Sequence, residues 1–493
     1  MENQKWEDIM NMNIIIAVAL TIPILSVGCM QSTPSIKNTT DKPNILWIIA
    51  EDMSCDFGYQ GNSLVTTLNV DKLVREGVAF TNAYTTAPVC SASRSALITG
   101  MYQTTIGAHN HCSSRGDYKI SLPVGMNTIP EYFRKAGYYV CNTGYYEYCN
   151  DQSFGRNGKT DYNFVFNSDS LYNAPQWTKR KRGQPFFAQV QLRGGKLRDI
   201  DSWYKGVEKG LSTLVSADNV IIPPYYPHDS VIRTDWAHYL NTVQYTDKEV
   251  GKIPEKLKAD GDLDKTIIFF ITDHGISHAR GKQFLYDEGT KIPFIVWAPE
   301  RLKHEVRTDL IAHIDIAATS LYFSGIPIPS YLEAKPLFGP DYIPRMYIVS
   351  ARDRCDETVD RIRSIRIGNF KYIHNYYPGR PYLQPNAYKD HKPTIKDIRK
   401  LEAEGKLNNI QLLVTAKTRP VDELYDLISD TYEIHNLANN PEYSKKLSDM
   451  RTALDNWIKA TDDNGQYGEP EESYNTSMEV YLKGQIMDKK IMI

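Results

Sequence analysis

Two polar clusters in this sequence each end an unbroken apolar run. Glu51 and Asp52 follow NILWIIA at 44–50, and Asp273, His274 and Gly275 follow TIIFFIT at 266–272. Three carboxylates and an imidazole form a donor set for a hard divalent cation, calcium or magnesium, because such ions prefer oxygen ligands. Either cluster alone reads as a helix cap or a surface turn; two of them after runs of the same type read as a site. Between them lies APVCSASRSALITG, residues 87–100, with Cys90 four positions before Arg94. On a helix that spacing sets the two side chains one turn apart on one face.

The apolar runs are the elements that position these groups. NILWIIA and TIIFFIT are rich in β-branched residues and uninterrupted, the pattern of strands buried on both faces. PFFAQVQL at 185–192, PFIVWA at 293–298 and RMYIVSA at 345–351 read as further strands. Amphipathic helical patterns lie between them, at 69–77 and 235–261. Alternation of this kind predicts an α/β sheet with helices on both faces. Ligands then sit beyond the carboxyl ends of the strands, which brings Glu51, Asp52, Asp273 and His274 to one edge.

The chain has 493 residues, enough for a large domain and a smaller one. Its net charge of −2 speaks against nucleic acid as a partner. The 33 tyrosines suit stacking on sugar rings and equally suit half-buried packing. The apolar run at 14–27 is short for a membrane span and fits the core of a signal peptide. It ends at Ser26-Val27-Gly28-Cys29, which resembles a bacterial lipoprotein cleavage site with Cys29 as the lipidated residue. Residues 30–41 then read as a linker. Among the seven cysteines there is no CxxC pair and no zinc-type spacing. Cys141 and Cys149 are close enough for a local disulfide, which sequence does not decide.

The segment Cys90-Ser91-Ala92-Ser93-Arg94, followed by Leu97-Ile98-Thr99-Gly100, resembles the signature of type I sulfatases. KPNILWIIAED at 42–52, TDHG at 272–275, GKQFLYDEGTKIPFIVWAP at 281–299 and ELYDLISDTYEIHNLA at 423–438 extend the resemblance. The chain is similar to bacterial glycan-degrading sulfatases and to lysosomal sulfamidase. The resemblance implies an alkaline-phosphatase-like α/β fold: a large mixed sheet flanked by helices, and a small antiparallel sheet in a C-terminal subdomain. With the leader read above, the chain divides into a signal peptide at 1–29, a linker at 30–41, a catalytic domain at 42–355, a C-terminal subdomain at 356–470 and a tail at 471–493.

The same resemblance implies the chemistry. A maturation enzyme oxidises Cys90 to formylglycine, whose hydrate attacks sulfur with one hydroxyl and expels sulfate with the other. Calcium held by Glu51, Asp52, Asp273 and His274 polarises the sulfate. Arg94 steadies the hydrate, and Lys159 and Lys282 match lysines that grip sulfate. Many members place a histidine after the strand corresponding to PFFAQVQL, whereas this chain reads RGGKLRD, with Lys196. His278 is the substitute general acid, since an imidazole titrates near neutral pH. His109 and His111 are further candidates for sulfate or acid roles. Arg352, Asp353, Arg354 and Asp356, after a predicted strand, are candidates for binding sugar hydroxyls or a second anionic group; otherwise they form a surface salt-bridge cluster.

The expected function is hydrolysis of sulfate esters, or N-sulfate, on a sulfated glycan. A phosphodiester or phosphonate monoester hydrolase of the same fold and a non-catalytic glycan-binding lipoprotein are the alternatives. A two-zinc phosphatase needs more histidine and aspartate ligands than these segments supply. The leader predicts export to the periplasm or outer membrane. Fractionation of the native host should find the mature chain in the envelope without Met1; a full-length chain in the cytoplasm contradicts this.

Overall fold

The computed structural model describes residues 42–145 and 156–491. The expected leader and linker, Cys29 and Cys149 lie outside the described residues. Eight strands form one sheet: β1 (Asn44–Ala50), β2 (Val78–Tyr84), β3 (Tyr139–Tyr145), β4 (Arg156–Asn157), β5 (Phe186–Leu192), β6 (Thr266–Thr272), β7 (Phe294–Trp297) and β8 (Glu305–Ala312). Their order is β4-β3-β5-β1-β6-β7-β2-β8. β1 lies parallel between β5 and β6, with Ala50 level with Leu192 and Thr272. β7 runs against β6 and β2, and β4 against β3, so the sheet is mixed.

All residues of β1, β5 and β6 are buried because the sheet is covered on both faces. Successive side chains alternate between two cores. Ile45, Trp47 and Ile49 enter one with Phe187 and Phe269; Leu46, Ile48 and Ala50 enter the other with Val190 and Phe270. Each large apolar side chain buried this way contributes roughly 1.5–3 kcal/mol. Trp47 also donates to Ser320 Oγ at 2.9 Å, which satisfies its buried indole N–H. Helix α1 (Leu68–Glu76) and the long α3 (Ser230–Ala259) pack on the second core. Helix α2 (Cys90–Thr99) and α4 (Asp315–Phe323) pack on the first. Asp229 caps α3 by accepting from the Val231 amide, several residues before the periodic pattern begins.

A second sheet holds β9 (Tyr347–Arg352), β10 (Ile362–Ile367), β11 (Phe370–Asn375) and β12 (Asp422–Asp426), antiparallel in the order β12-β11-β10-β9. The run at 345–351, assigned by sequence to the catalytic domain, is thus the edge of the small sheet. Residues beyond 470 are a helix, α5 (Glu471–Ile491), where a tail was expected. It lies on the Ser113–Arg115 turn: a Cβ on Gly116 would come 2.3 Å from the Thr476 backbone. Among the described residues no helix is long and apolar enough to cross a membrane.

The small sheet is tied down by a buried charge cluster. The Arg363 guanidinium donates to Asp463 at 2.5 and 2.9 Å and to Asp353 at 3.1 Å, with Arg363 fully buried. Arg363→Ala should leave two carboxylates without their cation, a loss of about 3–5 kcal/mol. Thermal denaturation should show a large drop in Tm; an unchanged Tm would mean that the cluster is neutral to stability.

Candidate active site

Three turns and one helix start meet at the carboxyl edge of the large sheet. The chain leaves β1 at Glu51 and turns at Asp52, whose φ of 54° is uncommon outside glycine. The Asp52 amide donates to Asp273 Oδ1 at 3.1 Å, which joins the turns after β1 and β6. After β5 come Gly194 and Gly195. A Cβ at Gly194 would lie 2.3 Å from the Glu51 carbonyl oxygen, and one at Gly195 2.3 Å from that of Asp52. Glycine here lets the turn lie against the acids and deliver Lys196 to them.

Cys90 opens α2 and Arg94 follows one turn later, in a helix whose every residue is buried. The intervening serines pin it. Ser93 Oγ donates to the Asp273 carbonyl at 2.6 Å, and Ser95 Oγ accepts from the Asn163 amide at 2.9 Å. Gly100 ends the helix at φ 67°, the left-handed stop that glycine supplies.

Around Cys90 Sγ stand Lys282 Nζ at 3.1 Å, His274 Nε2 at 3.2 Å, Lys196 Nζ at 3.6 Å and Asp52 Oδ1 at 3.9 Å. Lys282 also reaches both Asp52 oxygens, at 3.2 and 3.3 Å. Lys159 donates to Glu51 Oε2 at 3.3 Å, and Lys196 bonds the same oxygen. Arg94 donates to Asp273 Oδ2 at 3.1 Å and to Gln191 Oε1 at 2.5 Å, and lies 3.3 Å from Glu51 Oε1. Burial disfavours every one of these charges, and their mutual attraction overcomes it. Glu51, Asp52 and Asp161 are held below the usual carboxylate range, and Lys159, Lys196 and Lys282 above the usual ammonium value. Burial likewise opposes ionisation of the Cys90 thiol, yet Lys159, Lys196, Lys282 and His274 bring it to about 6.

Asp52, Cys90, Asp273 and His274 each offer one ligand atom, all within 4.8 Å of one another. His274 Nδ1 lies 2.9 Å from the Gly275 carbonyl oxygen, so that nitrogen carries a proton and donates. Nε2 then faces Asp52 Oδ1 at 3.4 Å and Asp273 Oδ1 at 3.7 Å. Two carboxylates and a lone pair at one buried point repel unless a proton or a cation stands among them. The His274 pKa expresses this demand: burial lowers it, but Asp273, Cys90 and Asp52 raise it further. The donor set fits a divalent cation. Glu51 stands beside this group, with its carboxylate held by Lys159, Lys196 and Arg94. The cluster floors a cavity of about 220 Å³ whose walls include Lys159, Lys196, Lys282, His111, Asp356 and Tyr388.

The profile of the sulfatase family matches residues 43–326. An ulvan-active sulfatase of Formosa agariphila is 34% identical over 93% of this chain and 83% of its own. The chain belongs to the sulfatase family. N-sulphoglucosamine sulphohydrolase of Homo sapiens is 25% identical over 85% of this chain and 90% of its own. A solved structure in complex with its substrate D-glucosamine-2-N,6-O-disulfate shares the fold at a TM-score of 0.58 and 18% identity, over 86% of this chain and 99% of that one. The protein is a sulfuric ester hydrolase, and its architecture is the alkaline-phosphatase-like one expected from sequence.

In this sulfatase, Cys90, Arg94, Lys159, Lys282, Glu51, Asp52, Asp273 and His274 come together as the sequence suggested. His111 and Asp356 line the cavity beside Cys90. His278 does not. Its Nε2 is bound to Asp235 Oδ2 at 2.8 Å, and its ring packs among Tyr226, Trp236 and Tyr239. Burial, only partly offset by Asp235, pushes its pKa to about 4, so it carries no dissociable charge at neutral pH. This corrects its assignment as general acid. His109 is buried away from the cavity lining, next to the Asp353–Arg363 pair. Arg352 pairs with Asp360 at 2.5 Å and Arg354 with Glu469 at 2.8 Å. With Asp353 they form internal ion pairs, buried instead of exposed, and not a sugar-binding rim.

Sequence reasoning misses Lys196 as a site residue, although it stands at the same strand edge that singled out the acids. Tyr388 carries no such signal. It comes from the short helix Ala387–Asp390 and donates to Asp52 Oδ2 at 3.2 Å. His278→Gln should lower turnover of sugar sulfates and of activated aryl sulfates by the same factor, because its role is packing. A loss confined to sugar sulfates, measured by parallel kcat/KM, would restore it as the acid.

Proposed function

We propose that this sulfatase hydrolyses sulfate esters, or N-sulfate, of a sulfated glycan or oligosaccharide, with Cys90 oxidised to formylglycine and calcium held by Glu51, Asp52, Asp273 and His274. The observation that carries this reading is the position of Cys90. It sits on the floor of a small cavity, at a helix start, among three lysines and beside two buried carboxylates and an imidazole. The relatives named as acting on ulvan and on N-sulphoglucosamine support a glycan as substrate.

When present, the two groups supply a hydrated aldehyde as nucleophile and a Lewis acid for the sulfate oxygens. The chain's own residues do the rest. Lys282 and Lys159 offer fixed cations to the sulfate oxygens, where negative charge builds as the S–O bond breaks. Arg94 spans Glu51 and Asp273 and keeps both carboxylates in place. Lys196 is the proton donor to the departing sugar oxygen. Burial opposes its charge, but Glu51 and Asp52 keep the ammonium protonated. The leaving oxygen takes both electrons of the S–O bond and the proton from Lys196, which recovers a proton from water.

Maturation belongs to the unfolded chain, because α2 is buried at every position and Cys90 is only 3% exposed once folded. A formylglycine-generating enzyme therefore acts on residues 87–100 before the sheet closes. The apolar run at 14–27 and Cys29 support export and a lipid anchor in the outer membrane.

Peptide mass analysis of the segment containing Cys90 should find the aldehyde in active material. Cys90→Ala should abolish turnover with the fold intact, and chelation of calcium should do so reversibly. Lys196→Met should slow sugar sulfates far more than activated aryl sulfates, which leave without a proton. Full activity with unmodified Cys90, or faster turnover of aryl phosphates than of aryl sulfates, would defeat the proposal.

A further inference from the structure

The mouth of the cavity carries a second set of potential ligands that the sulfatase chemistry does not use. His111, Cys355 and Asp356 each present one ligand atom, all within 4.8 Å of one another. Cys112 stands beside this group: its Sγ lies 3.5 Å from His111 Nε2 and 3.7 Å from Nδ1, along the ring. All four side chains line the same cavity as Cys90. The residues come from two distant segments, held together by main-chain and side-chain bonds. The His111 amide donates to the Arg354 carbonyl at 2.9 Å, and the Arg354 guanidinium returns a bond to the His111 carbonyl at 3.2 Å.

The surroundings orient these donors as a metal site requires. His111 Nδ1 is bonded to Ser91 Oγ at 2.8 Å, which directs Nε2 at the other donors. A supporting bond on the far ring nitrogen is the usual companion of a metal-bound imidazole. Asp356 Oδ1 takes the Arg115 guanidinium at 3.1 Å, which leaves Oδ2 facing His111 Nε2 at 4.0 Å. Asp356 has a φ of 50°, so its segment turns in a left-handed conformation at a donor. Imidazole, one sulfur and one carboxylate oxygen form a three-ligand set of the kind that takes zinc at roughly 2.0–2.3 Å per ligand and leaves a fourth position open. Thiolates select softer ions than the carboxylates that serve calcium. The two ligand sets in one cavity are therefore chemically distinct.

The geometry points to a zinc-type site formed by His111, Cys355 and Asp356 in the wall of the active-site cavity. Zinc binding draws the three donors inward by about an ångström and displaces the Cys355 thiol proton to solvent. An ion there occupies the space through which a sulfate ester reaches Cys90. It inhibits by competition with substrate and is removed by chelation. The inhibition rests on the sulfatase reading; the metal binding does not.

The test uses the full chain with Cys90→Ala, in excess calcium and with reductant, so that neither the thiol at 90 nor the calcium ligands contribute. Cobalt(II) should give a thiolate charge-transfer band that zinc abolishes, and one equivalent of zinc should survive gel filtration. His111→Gln, Cys355→Ser and Asp356→Asn should each weaken or lose the bound ion. Circular dichroism identifies any variant that fails to fold, and the remaining variants then decide. Absence of the cobalt–thiolate band, retention of zinc by Cys355→Ser, or a disulfide at Cys355 in material purified without reductant would overturn the site. In the matured enzyme, zinc should raise KM without lowering kcat, and Cys355→Ser should abolish that effect. Equal inhibition of Cys355→Ser would overturn the regulatory role while the spectroscopy stands on its own.

Discussion

The arrangement at the sheet edge is governed by charge compensation in a place where water is excluded. Parallel pairing of β1 with β5 and β6 ends the three strands level and turns Glu51, Asp52, Asp273 and His274 into one small volume. Two like charges about 4 Å apart repel by about 4 kcal/mol at an effective dielectric near 20. The acids alone would force the turns apart or take up protons. Arg94, Lys159, Lys196 and Lys282 converge on them from four segments, and the balance favours the charged forms of Glu51, Asp52 and the three lysines. The same balance provides a floor that attracts an anionic sulfate and a donor set that calls for a cation.

The rest of the fold serves that floor. Helix α2 is buried from end to end, so the position of Cys90 is set by close packing on both sides. The small sheet and the segments after it close the cavity. Asp356 follows β9, Tyr388 leans on Asp52, and Lys389 donates to the His278 and Lys282 carbonyls at 2.8 and 2.6 Å. Helix α5 returns to the Ser113–Arg115 turn beside Cys112, where Ser477 Oγ donates to the Cys112 carbonyl at 3.1 Å. Residues that look remote in sequence thus hold the mouth of the cavity in shape.

Sequence and structure part company at the side chains whose meaning depends on partners. His278 reads as a proton donor because it lies near Asp273 and Lys282 in the chain, but four residues beyond His274 it has turned into the core and met Asp235. Arg352, Asp353 and Arg354 read as a polar rim because they follow a strand; Asp360, Arg363 and Glu469, from elsewhere, turn them inward. The sequence has no zinc-type spacing, yet Cys112 and Cys355 line one cavity with His111 and Asp356.

What the sequence determined by itself is whatever local pattern encodes. The apolar runs gave β1 and β6 to the residue, the strand-edge rule gathered the acids, and the Cys90 to Arg94 spacing gave a helix turn with the family's signature. Those features need only periodicity and short-range spacing. What the tertiary structure decided is which cations answer the acids, which histidine faces the cavity, and which segments form its mouth. Lys196 joins the site because two glycines let its turn lie on Glu51 and Asp52. His278 leaves it because a buried aspartate binds it first. Pairing of buried charges is a long-range choice among many polar side chains, and only the folded chain makes it.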